Sequence, residues 1–125
     1  MTTKPLEIIA SAMADLQIEY GFARYYGMDY PYFVGEYIES EPLNEDGLQE
    51  ASLTLTGFTR GTWAELEEAK GKIEEYFSPI SGNTQFTADG SAVTILYASS
   101  YVIPKEDADL KSIQINMKIM EWRVA

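Results

Sequence analysis

Toward the end of the chain Ile113, Ile115, Met117 and Ile119 alternate with Gln114, Asn116, Lys118 and Met120. An alternation of period two over that length describes a strand with one buried face, and a one-residue slip would turn every isoleucine to water. This strand predicts a sheet with a single apolar face, so the rest of the chain must supply partner strands and a cover. Residues 52 to 58 (SLTLTGF) alternate Leu with Thr. Residues 30 to 40 (YPYFVGEYIES) are aromatic and β-branched, with Pro31 barring an early helix. That strand places Tyr32, Val34 and Ile38 on one face and Phe33 and Tyr37 on the other. Residues 84 to 87 and 91 to 103 flank Ala88, Asp89 and Gly90, and the Asp-Gly pair is a strong hairpin signal.

The cover is helical. Leu6, Ile9, Met13, Leu16 and Tyr20 recur at three- and four-residue steps, with Pro5 suited to the first turn and Gly21 beyond the last, which predicts a helix over 5–19. Thr62 and Glu65 have the spacing of a capping box, and Leu66, Ala69, Ile73 and Phe77 form the apolar stripe of a second helix over 62–77, closed by Pro79. The 125 residues suit one domain, 1–125. The expected order is αββαβββ: an α+β fold with two helices packed on one face of a mostly antiparallel twisted sheet. On the other face Phe33, Tyr37 and Trp122, with Met120, are expected to lie exposed and are candidates for a subunit interface.

The chain has no Cys and no His. Disulfides, thiol nucleophiles, thiolate metal ligands and the commonest general base are thereby excluded, and an enzyme is not the expected class. No run of apolar residues is long enough to span a bilayer, and the opening segment reads as an amphipathic helix rather than a signal peptide. Net charge is -11, and residues 25 to 59 hold seven acids (Asp29, Glu36, Glu39, Glu41, Glu45, Asp46, Glu50) and no base. A generic nucleic-acid binder is excluded, because phosphate contact needs clustered Lys and Arg. The connector over 41–51 (EPLNEDGLQEA) is longer than a tight hairpin requires. Its carboxylates Glu41, Glu45, Asp46 and Glu50 read either as a solvated loop or as an acidic arm for a partner.

Other patterns have plainer readings. The pairs Glu67, Glu68 and Glu74, Glu75 belong to a solvated helix face, since neighbouring helical residues do not face each other. Glu106, Asp107 and Asp109 form an acidic turn without the spacing of a calcium loop. The Gly-bearing turns GFTRG and Gly82-Asn83 lack a phosphate-loop pattern. Tyr20, Tyr25, Tyr26, Tyr30, Tyr32 and Tyr37 fall within eighteen residues and suit a mixture of core and interface. No motif calls for a cofactor or metal.

The stretch YFVGEYIESEPLNEDGLQEASLTLTGFTRGTWAELEEAKGKIEEYF, with the opening helix before it and the closing Ile-Gln-Ile-Asn-Met-Lys strand after it, resembles the tail-completion or tail-terminator proteins of tailed bacteriophages and Gram-positive prophages. The resemblance implies a structural virion protein with helices on a twisted sheet, forming a ring, commonly of six copies. Such a ring sits at the head-proximal end of the tail, stops tail-tube growth, joins the tail to the head connector and lets DNA pass without specific binding. The implied partners are other copies of the chain, the tail-tube protein and the connector protein, with no membrane. Assembly is implied in the bacterial cytoplasm and residence in the virion tail. Two alternatives remain from the residues alone: an acidic DNA-mimicking inhibitor of a host enzyme, and a small-ligand domain with a Tyr-lined pocket.

Overall fold

A computed structural model describes residues 2–123 apart from 26, 28, 40–46, 79, 81 and 89. The elements are α1 (Lys4–Asp15), β1 (Glu19–Phe22), β2 (Tyr32–Glu39), β3 (Leu48–Thr59), α2 (Trp63–Tyr76), β4 (Asn83–Phe86), β5 (Ala92–Ile103) and β6 (Lys111–Trp122). The six strands form one curled sheet in the order β1-β2-β3-β6-β5-β4. β3 and β6 pair antiparallel over all 12 residues of each strand, from Leu48 opposite Trp122 to Thr59 opposite Lys111. The expected alternation sets this register. Leu53 faces Met117 and Leu55 faces Ile115, while Thr54 and Asn116 share the opposite face.

Both helices lie against the apolar face. Ile8, Ile9, Ala12 and Met13 of α1 and Leu66, Ala69 and Ile73 of α2 form one core with Ala51, Leu53, Leu55, Val93, Ile95, Ile113, Ile115, Met117 and Ile119. At roughly 1.5–3 kcal/mol for each large aliphatic side chain removed from water, this cluster dominates folding. The α+β class and the two helices agree with the sequence. The sheet, however, is mixed rather than mostly antiparallel, and the order is αβββαβββ. The added strand is β1, which pairs parallel with β2, Tyr20 opposite Phe33 and Phe22 opposite Gly35. The other neighbouring pairs are antiparallel.

The origin of β1 lies at the end of α1, four residues before the expected stop. Gln17 takes a left-handed φ of 58°. Its N–H donates to the Ala14 carbonyl at 3.0 Å, and the Ile18 N–H donates to the Met13 carbonyl at 2.9 Å. These two bonds are a Schellman stop, which usually uses Gly, and here they turn Tyr20 out of the helix into a strand. The buried stripe of α1 is correspondingly Ile8, Ile9, Ala12 and Met13, and Leu6 is only half-buried.

At the start of α2, Thr62 Oγ1 accepts from the Glu65 N–H at 3.4 Å, as expected. The reciprocal half of the box is diverted, because Glu65 Oε2 accepts from Thr59 Oγ1 at 2.9 Å. Strand β3 is thus tied to the first turn of the helix that follows it.

A buried polar cluster closes the opposite end. Glu121, 2% exposed, accepts from the Thr2 N–H at 3.1 Å and from the Thr2 hydroxyl. Arg123 Nε donates to it at 3.1 Å, and another guanidinium nitrogen of Arg123 donates to Gln49 Oε1. Burial alone would raise the Glu121 carboxyl, but the two Thr2 bonds and Arg123 together hold it below the usual carboxylate range. A carboxyl depressed in the folded state stabilises the fold above its unfolded pKa, and this contribution is lost as pH falls through the folded value. Glu121→Ala is expected to cost about 2–4 kcal/mol in urea unfolding at pH 7, because it leaves the Arg123 guanidinium and the Thr2 donors without their carboxylate. Glu121→Gln should flatten the loss of stability below pH 4.5. An unaltered acid limb in that variant would exclude Glu121 as its source.

The Tyr20 hydroxyl, packed where a Cβ on Gly35 would stand, is buried with no hydrogen-bond partner among the described residues. Burial pushes its pKa up to about 12 from 10.0. The folded pKa is raised, so the hydroxyl stays neutral and costs the fold nothing through ionisation below pH 10, and stability falls as pH climbs from 10 toward 12. Tyr20→Phe should be neutral or stabilising by up to about 1 kcal/mol at pH 7, since it removes an unsatisfied polar group. The same variant should unfold less readily between pH 10 and 12 when followed by circular dichroism.

Candidate interaction surface

The strand registers define what the helices leave uncovered. Across the open face, one end carries Phe86, Ala92, Trp122 and Leu48, flanked by Met120. The middle is polar: Ser52 and Thr54 lie beside Lys118 and Asn116, and Asn116 pairs with Ser99. The far end carries Tyr32, Phe58, Ser112 and Ile103, with Tyr101 one row inward. Phe86 is 77% exposed, Tyr101 51% and Trp122 38%. An uncovered face with apolar ends and a hydrogen-bonding centre is suited to a protein partner, because apolar anchors supply affinity and polar groups fix register.

The tyrosine-rich segment has a specific place here. Tyr25 stacks on Tyr32 with centroids 4.5 Å apart, and Tyr32 meets Phe58 at 5.2 Å. Lys105 Nζ lies 5.2 Å from the Phe58 ring centre. Tyr30 leans on Tyr32 at 5.5 Å and is 45% exposed. This row fastens the segment following β1 to the open face and joins it to the β5–β6 turn. That turn is the acidic stretch noted in the sequence. Asp107 accepts from Arg60 at 2.8 Å, and this bond, with the Asp109 N–H, holds its carboxyl below the usual range.

The sequence-derived interface residues separate. Trp122 lies on the open face. Phe33 is a correction: it is fully buried on the helix side, because Gly57 on the adjacent strand leaves its ring a place. A Cβ at Gly57 would stand 2.6 Å from that ring. Tyr37 shares the helix-side face but lies beyond the cover; it is 40% exposed and stacks on Phe22 at 5.9 Å. Of the acidic arm, Glu41, Glu45 and Asp46 lie outside the described residues. Glu50 belongs to β3 itself, on the open face opposite Met120, with Lys118 Nζ 3.3 Å from its carboxylate.

A cleft of about 470 Å³ opens between α2 and the segments around Ile18 and Tyr30, and it presents Glu19, Asp29, Glu65, Glu68 and Lys72. Glu65 is engaged by Thr59, and Glu19 accepts from the Tyr25 hydroxyl at 3.2 Å. Among the described residues, no three acids converge as a cation site, and no helix is long and apolar enough to cross a membrane.

Two edges remain. β4 pairs with β5 only over residues 92–95, and β1 pairs with β2 only over 32–35. Among the described residues, β5 over 98–103 and β2 over 36–38 therefore have a strand on one side alone. The aromatic row was only partly legible: six tyrosines in eighteen residues signalled a cluster, but not that Tyr32 would be its centre.

Tyr32→Ala should remove all three of its ring contacts, with Tyr25, Tyr30 and Phe58, worth about 0.5–1.5 kcal/mol each. Tryptic cleavage after Arg24 should then accelerate while far-UV circular dichroism stays native. Unchanged cleavage would mean that the row does not hold this segment. No protein-family model matches the sequence, and a search of curated proteins finds no match, so the surface itself must carry the functional argument.

Proposed function

We propose that the chain is a structural subunit of a phage or prophage tail, of the tail-completion or tail-terminator kind, which assembles with copies of itself into a ring. The ring, of six copies, caps the head-proximal end of the tail tube, meets the head connector and leaves a channel for DNA. The observation that carries this reading is the one-sided cover of the sheet. Both helices protect one face, while the other ends in exposed Phe86, Trp122 and Tyr101, and among the described residues parts of β2 and β5 have a strand on one side alone. Such a subunit is completed by neighbours, and two different patches per copy close a ring when the rotation fits.

The charge supports the same reading. Duplex DNA carries one negative charge per roughly 1.7 Å, so an acidic conduit lets it slide rather than bind. With -11 per copy, a ring of these subunits would be strongly acidic as a whole. In this proposal the 41–46 segment reaches the tail tube or a neighbour, while other carboxylates face the channel.

Sedimentation of the purified protein across concentrations, with magnesium to screen the charge, is expected to show one closed species of fixed stoichiometry. A monomer under all conditions would count against the ring. The arm has its own test. Leu48 and Gln49 belong to β3, so the informative variant neutralises Glu41, Glu45 and Asp46 rather than deleting into the strand. It should keep its fold and ring yet fail to join tails to heads. Normal infectious particles would end the arm's role.

A further inference from the structure

We propose that the free edge of β5, residues 98–103, is the joint between copies, and that it pairs antiparallel with residues 36–38 of β2 from a second copy of this chain. The inference rests on the ring reading and names the contact that would build it. The β5 edge reads Ala98, Ser99, Ser100, Tyr101, Val102, Ile103, with Tyr101 and Val102 more than half exposed and no charge. An exposed, uncharged edge rich in β-branched and aromatic residues is a template for another strand unless something covers it. The ladder with β6 leaves alternate N–H and C=O groups of this edge pointing outward.

Three features select a second copy as the occupant and β2 as its contacting strand. First, the directions match. β2, β3, β6 and β5 alternate along the sheet, so a neighbour that continues the sheet presents its β2 antiparallel to β5 without inversion. Second, the two free edges lie on opposite sides of one subunit, so joining them uses both and is head-to-tail. Third, the charges agree. The β2 edge carries Glu36 beside exposed Tyr37 and Ile38, the latter 73% exposed. Two such edges would set Glu36 against Glu36, whereas β5 is neutral and is followed by Lys105. The bulge between Tyr97 and Ser99 bends β5 just where its free edge begins. That bend favours a curved, closing sheet over a flat one.

The absence of cysteine makes a clean test possible. Ile38→Cys and Tyr101→Cys both alter exposed side chains on the open face. With a short bis-maleimide, a mixture of the two variants should yield a cross-linked dimer that neither yields alone. The double variant Tyr101→Lys, Val102→Lys should raise the concentration for half-assembly by about tenfold or more. Its circular dichroism and urea midpoint should stay those of the parent. Cross-linking within Tyr101→Cys alone would overturn the proposal in favour of a two-fold β5 contact. A ring that persists unchanged in the lysine variant would overturn the edge assignment and leave the ring standing. A parent protein that is monomeric throughout would overturn both.

Discussion

The antiparallel ladder between β3 and β6 is the contact on which the other elements depend. Its two strands lie at the centre of the sheet, and their inward side chains, Leu53, Leu55, Ile113, Ile115, Met117 and Ile119, are the floor onto which α2 packs and against which α1 completes the core. Because side chains alternate with period two, the register that buries these six also turns Ser52, Thr54, Thr56, Gln114 and Asn116 to the opposite side. The covered and uncovered faces are thus one decision made once. The polar centre of the open face follows from the same pairing that makes the core.

Polar groups at the two ends of this ladder are treated differently from those on the surface. Thr59 ties β3 to the first turn of α2, and Glu121 ties β6 to Thr2 and Arg123. These groups are withdrawn from water and satisfied by several bonds each, which is the condition under which buried polar atoms specify a fold. The Arg60–Asp107 bridge is half-exposed on both sides, and its value is positional: it holds the β5–β6 turn near the aromatic row. Pairs at that exposure contribute little to stability.

What was legible in the sequence was whatever repeats. The alternation of 113–119, the Leu-Thr alternation of 52–58 and the stripe of α2 named their faces correctly, because periodicity records burial directly. What escaped depended on single positions. The end of α1 turns on one left-handed residue, Gln17, where the usual glycine is absent. That turn hid both the true helix end and the parallel strand β1. Phe33 went to the wrong face because its burial depends on Gly57, a residue on another strand that contributes only the space it leaves. The apolar end of the open face around Trp122, likewise, comes from pairing Leu48 and Ala92 with Trp122, partners 74 and 30 positions apart. Long-range pairing of this kind leaves no local pattern.

The central position of β6 also has a kinetic side. β3 is formed from residues 48–59, yet the strand that pairs along its whole inner edge comes from residues 111–122, and Thr2 meets its carboxylate partner 119 positions away. As the chain leaves the ribosome, the first helix and the first three strands therefore emerge with a twelve-residue edge still open. They stay so until more than fifty further residues have followed. Contacts so distant in sequence make folding slow and leave unpaired strands exposed to other chains meanwhile. Thr54 and Thr56, alternating with Leu53 and Leu55, leave one face of that waiting strand polar, so only its other face is apolar before β6 arrives.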